Sequence, residues 1–201
     1  SSYTASYNST PFFTVQYTRD KLGRIALKVE TVGGATNTFD YSYDSLGRLT
    51  RVDTDGGTIV TYIYDANGNR TSFTDPGGTL NGAYDAQDRL TQYGVNTYTY
   101  TANGELLSKT VGGQTTSYTY DALGNLTRVT LPDGTQIDYR VDGQDRRAGK
   151  NVNDILVQAF LHQDALEPVA ELDGSGNLVS RFVYGSRSTV PDYMVKGGVT
   201  Y

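Results

Sequence analysis

Tyr41-Ser-Tyr43-Asp44-Ser-Leu46-Gly47-Arg48-Leu49 decides how this chain is read, because the phrase returns. It comes back as Tyr62-Ile-Tyr64-Asp65-Ala-Asn67-Gly68-Asn69-Arg70 and as Tyr118-Thr-Tyr120-Asp121-Ala-Leu123-Gly124-Asn125-Leu126. Weaker copies are Tyr17-Thr-Arg19-Asp20-Lys-Leu22-Gly23-Arg24, Tyr84-Asp85-Ala-Gln-Asp88-Arg89-Leu90 and Tyr98-Thr-Tyr100-Thr101-Ala-Asn103-Gly104-Glu105-Leu106. A worn copy is Tyr139-Arg-Val141-Asp142-Gly-Gln-Asp145-Arg146. The aspartate slot falls at 20, 44, 65, 85, 101, 121 and 142, so a unit of about twenty residues occurs seven times. A repeat of that length marks a stacked supersecondary unit.

A second set of turn signals lies half a period away: Gly33-Gly34, Asp55-Gly56-Gly57, Asp75-Pro76-Gly77-Gly78, Gly94, Gly112-Gly113 and Pro132-Asp133-Gly134. Segments of Thr, Val, Tyr and Leu separate the signals, and two turns per period describe one β-hairpin per repeat. In Thr58-Ile-Val60-Thr-Tyr62-Ile-Tyr64 alternate side chains share a face, the period of a strand. No window shows a helical stripe.

The chemistry of the phrase follows from its residues. An Asp at the first turn position accepts local backbone N–H groups, and the Gly takes the left-handed conformation of a bulged hairpin loop. Asp88 and Asp145 stand where that Gly stands elsewhere; Asp tolerates positive φ better than most side chains. Tyrosines at i and i+2 are expected to stack from hairpin to hairpin as a ladder, each cross-strand pair contributing roughly 0.2–1 kcal/mol. The phrase residues are read as architectural. The expected fold is all-β: about eight antiparallel hairpins in one curved, open sheet. Residues 1–148 hold the tandem repeats and 149–201 continue the sheet.

Composition agrees and excludes much else. The 201 residues include 23 Gly, 17 Tyr and 27 Thr, a mixture that suits strands and turns. There is no Cys, hence no disulfide, thiolate metal site or cysteine nucleophile, and a single His, His162, cannot build a two-histidine metal site. A net charge of −5 without a basic cluster gives no footprint for nucleic acid. No apolar run approaches the ~18 residues of a helical membrane span, and the first ten residues lack a signal pattern. No cofactor is expected.

These phrases resemble the YD-repeat, or RHS-repeat, family, whose signature is Tyr-Asp-x-x-Gly-[Arg/Asn]-[Leu/Arg] at intervals of about twenty residues. The family includes bacterial Rhs polymorphic toxins, the C component of insecticidal toxin complexes, wall-associated bacterial proteins and the animal teneurins. The likeness covers residues 17–147 and extends through Phe160-Leu-His-Gln-Asp-Ala-Leu-Glu167-Pro168 and Val190-Pro-Asp192-Tyr-Met194 toward the family's core segment. It implies a β-sheet spiral that forms a hollow shell, enclosing a variable C-terminal effector in bacterial members. The expected partners are therefore the rest of the shell and that effector. The expected setting is secreted or cell-surface and bacterial, since an animal ectodomain would carry cysteines. No paired Asp-Pro-x-Gly motif follows Tyr184, so the family's autoprotease residues are not carried over. About sixteen strands at ~4.8 Å span ~77 Å, roughly half the circumference that a 100-residue cargo requires. The chain is thus expected to be a fragment of a longer array, prone to self-association through its edge strands.

Sharper chemical readings fail on spacing. His162 sits at a strand position and is read as structural. Gly143-x5-Gly149-Lys150-Asn151 is one residue too long for a phosphate loop and lacks its Ser/Thr. Asp65-x-Asn67-x-Asn69 and Asp173-x-Ser175-x-Asn177 open like calcium loops, yet Arg70 and Leu178 replace the Gly and Pro76 and Tyr184 the closing acid. Acid pairs such as Asp53/Asp55 and Asp142/Asp145 are what acidic turns produce by composition. Arg24, Arg48, Arg70, Arg89 and Arg128 recur near the turns and are expected to lie over neighbouring Tyr faces. A module binding carbohydrate or another surface protein through Tyr-rich faces is the alternative function.

Overall fold

The structure, a computed structural model, describes every residue except Ser188. Among the described residues there are twenty strands and no helix. Contacts divide the chain into two units, Ser1–Val95 and Asn96–Tyr201. The first holds β1 (Ser2–Tyr7), β2 (Thr10–Arg19), β3 (Ile25–Val32), β4 (Ala35–Tyr43), β5 (Leu49–Thr54), β6 (Gly57–Tyr64), β7 (Arg70–Asp75), β8 (Gly78–Tyr84) and β9 (Leu90–Tyr93). The second begins with β10 (Asn96–Tyr100), β11 (Leu106–Val111), β12 (Gln114–Tyr120), β13 (Leu126–Thr130), β14 (Gln136–Val141) and β15 (Arg147–Val152). It ends with β16 (Ile155–His162), β17 (Pro168–Asp173), β18 (Leu178–Val183), β19 (Tyr193–Lys196) and β20 (Val199–Thr200).

Within each unit every strand pairs antiparallel with the next in sequence, from β1 to β9 and from β10 to β20. The all-β class is the one expected. The hairpin count is not: twenty strands make about ten hairpins rather than about eight. Some of the uncounted corners carry no glycine. Asn8-Ser9 (φ 47° and 62°) and Asn153-Asp154 (φ 48° and 65°) are two-residue turns with both residues left-handed. Asn and Asp visit that region through local side-chain hydrogen bonds, so they do the work of Gly at these turns without its sequence signal.

Corners of two kinds occur, alternating within each unit as far as Asp121–Asn125, after which Leu131–Thr135 repeats the hydrogen bonds of the wide kind. The narrow kind is typified by Gly33-Gly34, φ 56° and 88°. The wide kind is the Tyr-Asp phrase. At Asp44–Arg48, the Asp44 N–H donates to the Arg48 carbonyl (3.0 Å) and the Gly47 N–H to the Asp44 carbonyl (3.0 Å). The same two bonds close Asp20–Arg24, Asp65–Asn69, Asp85–Arg89, Thr101–Glu105, Asp121–Asn125 and Asp142–Arg146.

Each wide corner is followed by a β-bulge. Ser42 pairs with Arg51 but Tyr43 with Leu49, so Thr50 is the extra residue. Thr71, Thr91 and Thr127 occupy the same place. A bulge leaves a ladder carbonyl without its partner, and the threonine hydroxyl supplies the donor: Thr50 Oγ1 to Ser42 O (3.2 Å), Thr91 to Ala83 O (3.1 Å) and Thr127 to Thr119 O (3.1 Å).

Within each unit the strands touch only their neighbours in sequence, so side chains bury themselves against cross-strand neighbours. In each unit rows of such neighbours run across one face, Tyr41–Val52–Val60 in the first and Tyr118–Val129–Ile137–Val152 in the second. Hydroxyl rows such as Thr99–Ser108–Ser117–Thr130 run across the other. Among the described residues the buried apolar side chains are Val15, Val52, Val129 and Ala170. With so thin a core, the corners carry much of the specification of register.

Candidate functional site

The recurring site is the wide corner and its clasp on its neighbour. Asp44 Oδ1 accepts the N–H groups of Leu46 (3.0 Å) and Arg48 (2.9 Å), and Oδ2 accepts Arg48 Nε (2.7 Å). Asp20, Asp85 and Asp142 repeat the pattern with Arg24, Arg89 and Arg146. Asp65, Asp121 and Asp173 do so with Asn69, Asn125 and Asn177 in place of the arginine. The fourth corner residue is left-handed throughout: Gly23 at φ 82°, Gly47 at 82°, Gly68 at 95°, Gly104 at 103° and Gly124 at 86°, with Asp88 at 60° and Asp145 at 58°.

In four phrases the tyrosine just before the corner ties it to the one before. Its hydroxyl donates to the backbone carbonyl that opens the preceding strand: Tyr43 to Ile25 O (2.7 Å), Tyr64 to Leu49 O (2.8 Å), Tyr84 to Arg70 O (3.1 Å) and Tyr120 to Leu106 O (3.0 Å). Guanidinium groups cover ring faces, with Arg24 4.5 Å from the Tyr43 centroid, Arg48 4.8 Å from Tyr64 and Arg147 3.9 Å from Tyr139. The expected ladder of stacked tyrosine rings is thus replaced by hydroxyl–carbonyl and cation–ring contacts. Equivalent tyrosines are two strands apart, roughly 9–10 Å, beyond the ~4.5–7 Å of a ring pair. Among the first tyrosines of the phrases, Tyr17 pairs in register with Lys28, Tyr41 with Val52, Tyr98 with Lys109 and Tyr118 with Val129. Tyr62 meets Phe73 at 5.6 Å. Burial raises the pKa of the Tyr41 phenol above its usual value.

The clasp continues forward. Arg48 Nη1 donates to Asp65 O (2.8 Å) and Arg146 Nη1 to Asp164 O (3.0 Å). At two of the three corners where Asn replaces Arg, the next Tyr-Asp corner carries Asp in its glycine slot to receive it: Asn69 Nδ2 to Asp88 Oδ1 (2.6 Å) and Asn125 Nδ2 to Asp145 Oδ1 (3.1 Å). Sequence reasoning missed this exchange, although the signal is there, since Asn at 69 and 125 precedes Asp at 88 and 145.

Other candidates are placed elsewhere. His162 ends β16, 6.4 Å from the Phe160 ring, beside a cavity of about 470 Å3 lined also by Asp145, Arg147, Leu166 and Pro168. Gly149 and Lys150 lie inside β15, paired with Ala159 and Gln158, so they form no phosphate loop. The oxygens of Asp65 and Asp173 are engaged by their own corners. Among the described residues no group of three His, Cys, Asp or Glu side chains suits a metal ion.

The corner carboxylates share one electrostatic trend. The Arg146 side chain, then the Gln144 N–H, lower Asp142 from 3.8 to about 2. The Arg48 N–H and guanidinium hold Asp44 below its usual value, and the Asn69 amide does so for Asp65. At Asp20 and Asp85 desolvation opposes the shift and the arginine bonds outweigh it. A depressed folded pKa contributes stability above the unfolded value and loses it as pH falls through the folded one. The melting temperature is therefore expected to be flat above about pH 5 and to fall steeply between about pH 4 and pH 2. Thermal melts at constant ionic strength check this; a melting temperature unchanged down to pH 2 would contradict the corner assignment.

The family described as Teneurin YD-shell matches residues 1–201. Teneurin-4 of Homo sapiens is 36% identical over 88 residues, 41% of this chain and 3% of the relative, and Teneurin-4 of Mus musculus matches equally. The chain therefore spans a small part of those proteins' length. The crystal structure of TcdB2-TccC3 is similar with a TM-score of 0.48 and 16% identity, covering 92% of this chain and 11% of that one. A family match along every residue, on a chain whose corners repeat the Tyr-Asp-x-x-Gly geometry, places this protein in the Teneurin YD-shell family.

Proposed function

We propose that this chain is a non-catalytic section of shell wall, and that its parent protein encloses a C-terminal effector. The supporting observation is the unbroken antiparallel pairing of strand to strand within each unit. Main-chain hydrogen bonds leave no gap between neighbouring strands, and the corner clasps hold hairpins in register, so each unit acts as a barrier by steric means. The corner acids are engaged in their own turns and are thereby removed from acid–base chemistry. Leu22, Leu46 and Leu123, 77%, 71% and 76% exposed at the corner tips, offer apolar surface for neighbouring parts of the shell. The outer edge of β1 offers a strand for self-association. Residues 149–201 lead on toward the core segment, and the parent is secreted or displayed on a bacterial surface. A carbohydrate-binding role through tyrosine faces has less support, since Arg24, Arg48 and Arg147 already cover Tyr43, Tyr64 and Tyr139.

Limited proteolysis of the parent protein tests enclosure. The effector segment is expected to resist protease until the shell is denatured. Cleavage of that segment in the native protein at the rate of a free peptide would overturn the reading.

A further inference from the structure

One corner breaks the pattern in a way that leaves a vacancy of defined chemistry. At Thr101–Glu105 a glutamate occupies the slot that Arg24, Arg48, Arg89 and Arg146 hold at their corners. Glu105 Oε2 accepts the Thr101 hydroxyl, and the Glu105 N–H donates to Thr101 Oγ1 (3.2 Å). The next corner has Asn125 in the same slot, so neither corner supplies a cation. Everything that receives the guanidinium elsewhere is nevertheless in place. Tyr120 is seated as Tyr43 and Tyr64 are, with its hydroxyl on the preceding strand's carbonyl. Among the described residues no guanidinium lies over its ring. The Asp121 carbonyl accepts the Gly124 N–H (3.1 Å). At the equivalent carbonyl of Asp65 the Gly68 N–H (3.3 Å) is joined by Arg48 Nη1 (2.8 Å). A cavity of about 270 Å3 occupies this position, lined by Thr101, Asn103, Glu105, Tyr118, Tyr120 and Asp121. That volume is below the roughly 300–1,000 Å3 of small-molecule pockets and suits a single side chain.

We propose that this cavity receives one arginine side chain from a basic peptide or protein, whose guanidinium takes the place that Arg24 and Arg48 fill from within the chain. The bound group would stack on Tyr120, pair with the Glu105 carboxylate and donate to the Asp121 carbonyl. A planar five-donor cation fits such a set better than a point-charge ammonium does. The net charge of −5 favours the approach of a basic partner.

Titration of the 15N-labelled 201-residue chain with the peptide acetyl-Gly-Arg-Gly-amide tests this. Saturable shifts clustered at the Leu106, Asp121 and Gly124 amides are expected, with none from the citrulline counterpart, which has the same shape without the charge. Glu105→Gln, whose spectrum reports its folding, is expected to weaken binding by about tenfold. Glu105→Arg is expected to abolish binding, because the chain then fills the cavity itself. Absence of a response in the unmodified chain, equal response to the citrulline peptide, or retained binding in Glu105→Arg would overturn the proposal.

Discussion

Gly174→Ala is expected to destabilise the second unit by about 3 kcal/mol, at the upper end for overpacking. A Cβ at Gly174 would press on the Leu156 carbonyl oxygen, 2.9 Å from its carbonyl carbon and 3.5 Å from the Val157 Cα. These are backbone atoms, and Leu156 is held on its other side by pairing with Asn151, so no side-chain rotation relieves the contact. Gly176, two residues on in the same corner, requires glycine for a different reason: its φ is 84° and a Cβ there would meet nothing within 4 Å. Gly176→Ala should therefore cost only the left-handed penalty, about 1–2 kcal/mol. Urea unfolding of both variants checks the order. Equal costs would mean that β16 yields, contrary to the close approach.

Gly47→Val carries the second largest effect. Gly47 stands at φ 82°, where a β-branched side chain is a steric outlier, and its Cβ would meet Arg24 Nη1 at 3.5 Å. A loss of about 2 kcal/mol is expected, with a similar loss for Gly124→Val at φ 86°. Gly47→Asn should cost less than half as much, since Asn populates the left-handed region. Ser45→Ala, at an exposed position, should stay within about 0.5 kcal/mol. Equal midpoints for Gly47→Val and Ser45→Ala in denaturant would refute the turn assignment.

The exchange of Arg for Asn along the corners shows where sequence reasoning stops. Asp44 with Gly47 is a four-residue statement, and its turn geometry is legible because an Asp carboxylate and a left-handed glycine act on their own backbone. That Arg48 goes on to Asp65, 17 residues away, is not a property of either residue. It depends on two corners lying side by side once an intervening hairpin has been counted out. The ladder of rings failed for the same reason: period and face were right, but identical positions lie two strands apart. The bulge threonines went unnoticed because Leu49-Thr50 and Leu126-Thr127 read as ordinary strand until the register shift shows which carbonyl lacks a partner.

The amino-acid order by itself determined the all-β class, the hairpin period, the wide corners and their family resemblance, since each rests on contacts within a few residues. The number of hairpins, the clasps from corner to corner, the close approach at Gly174 and the unfilled place beside Tyr120 were decided only by the folded chain. Those features depend on which strand lies next to which, and within each unit the distance between neighbouring strands, not the distance along the chain, selects the partner each long side chain can reach.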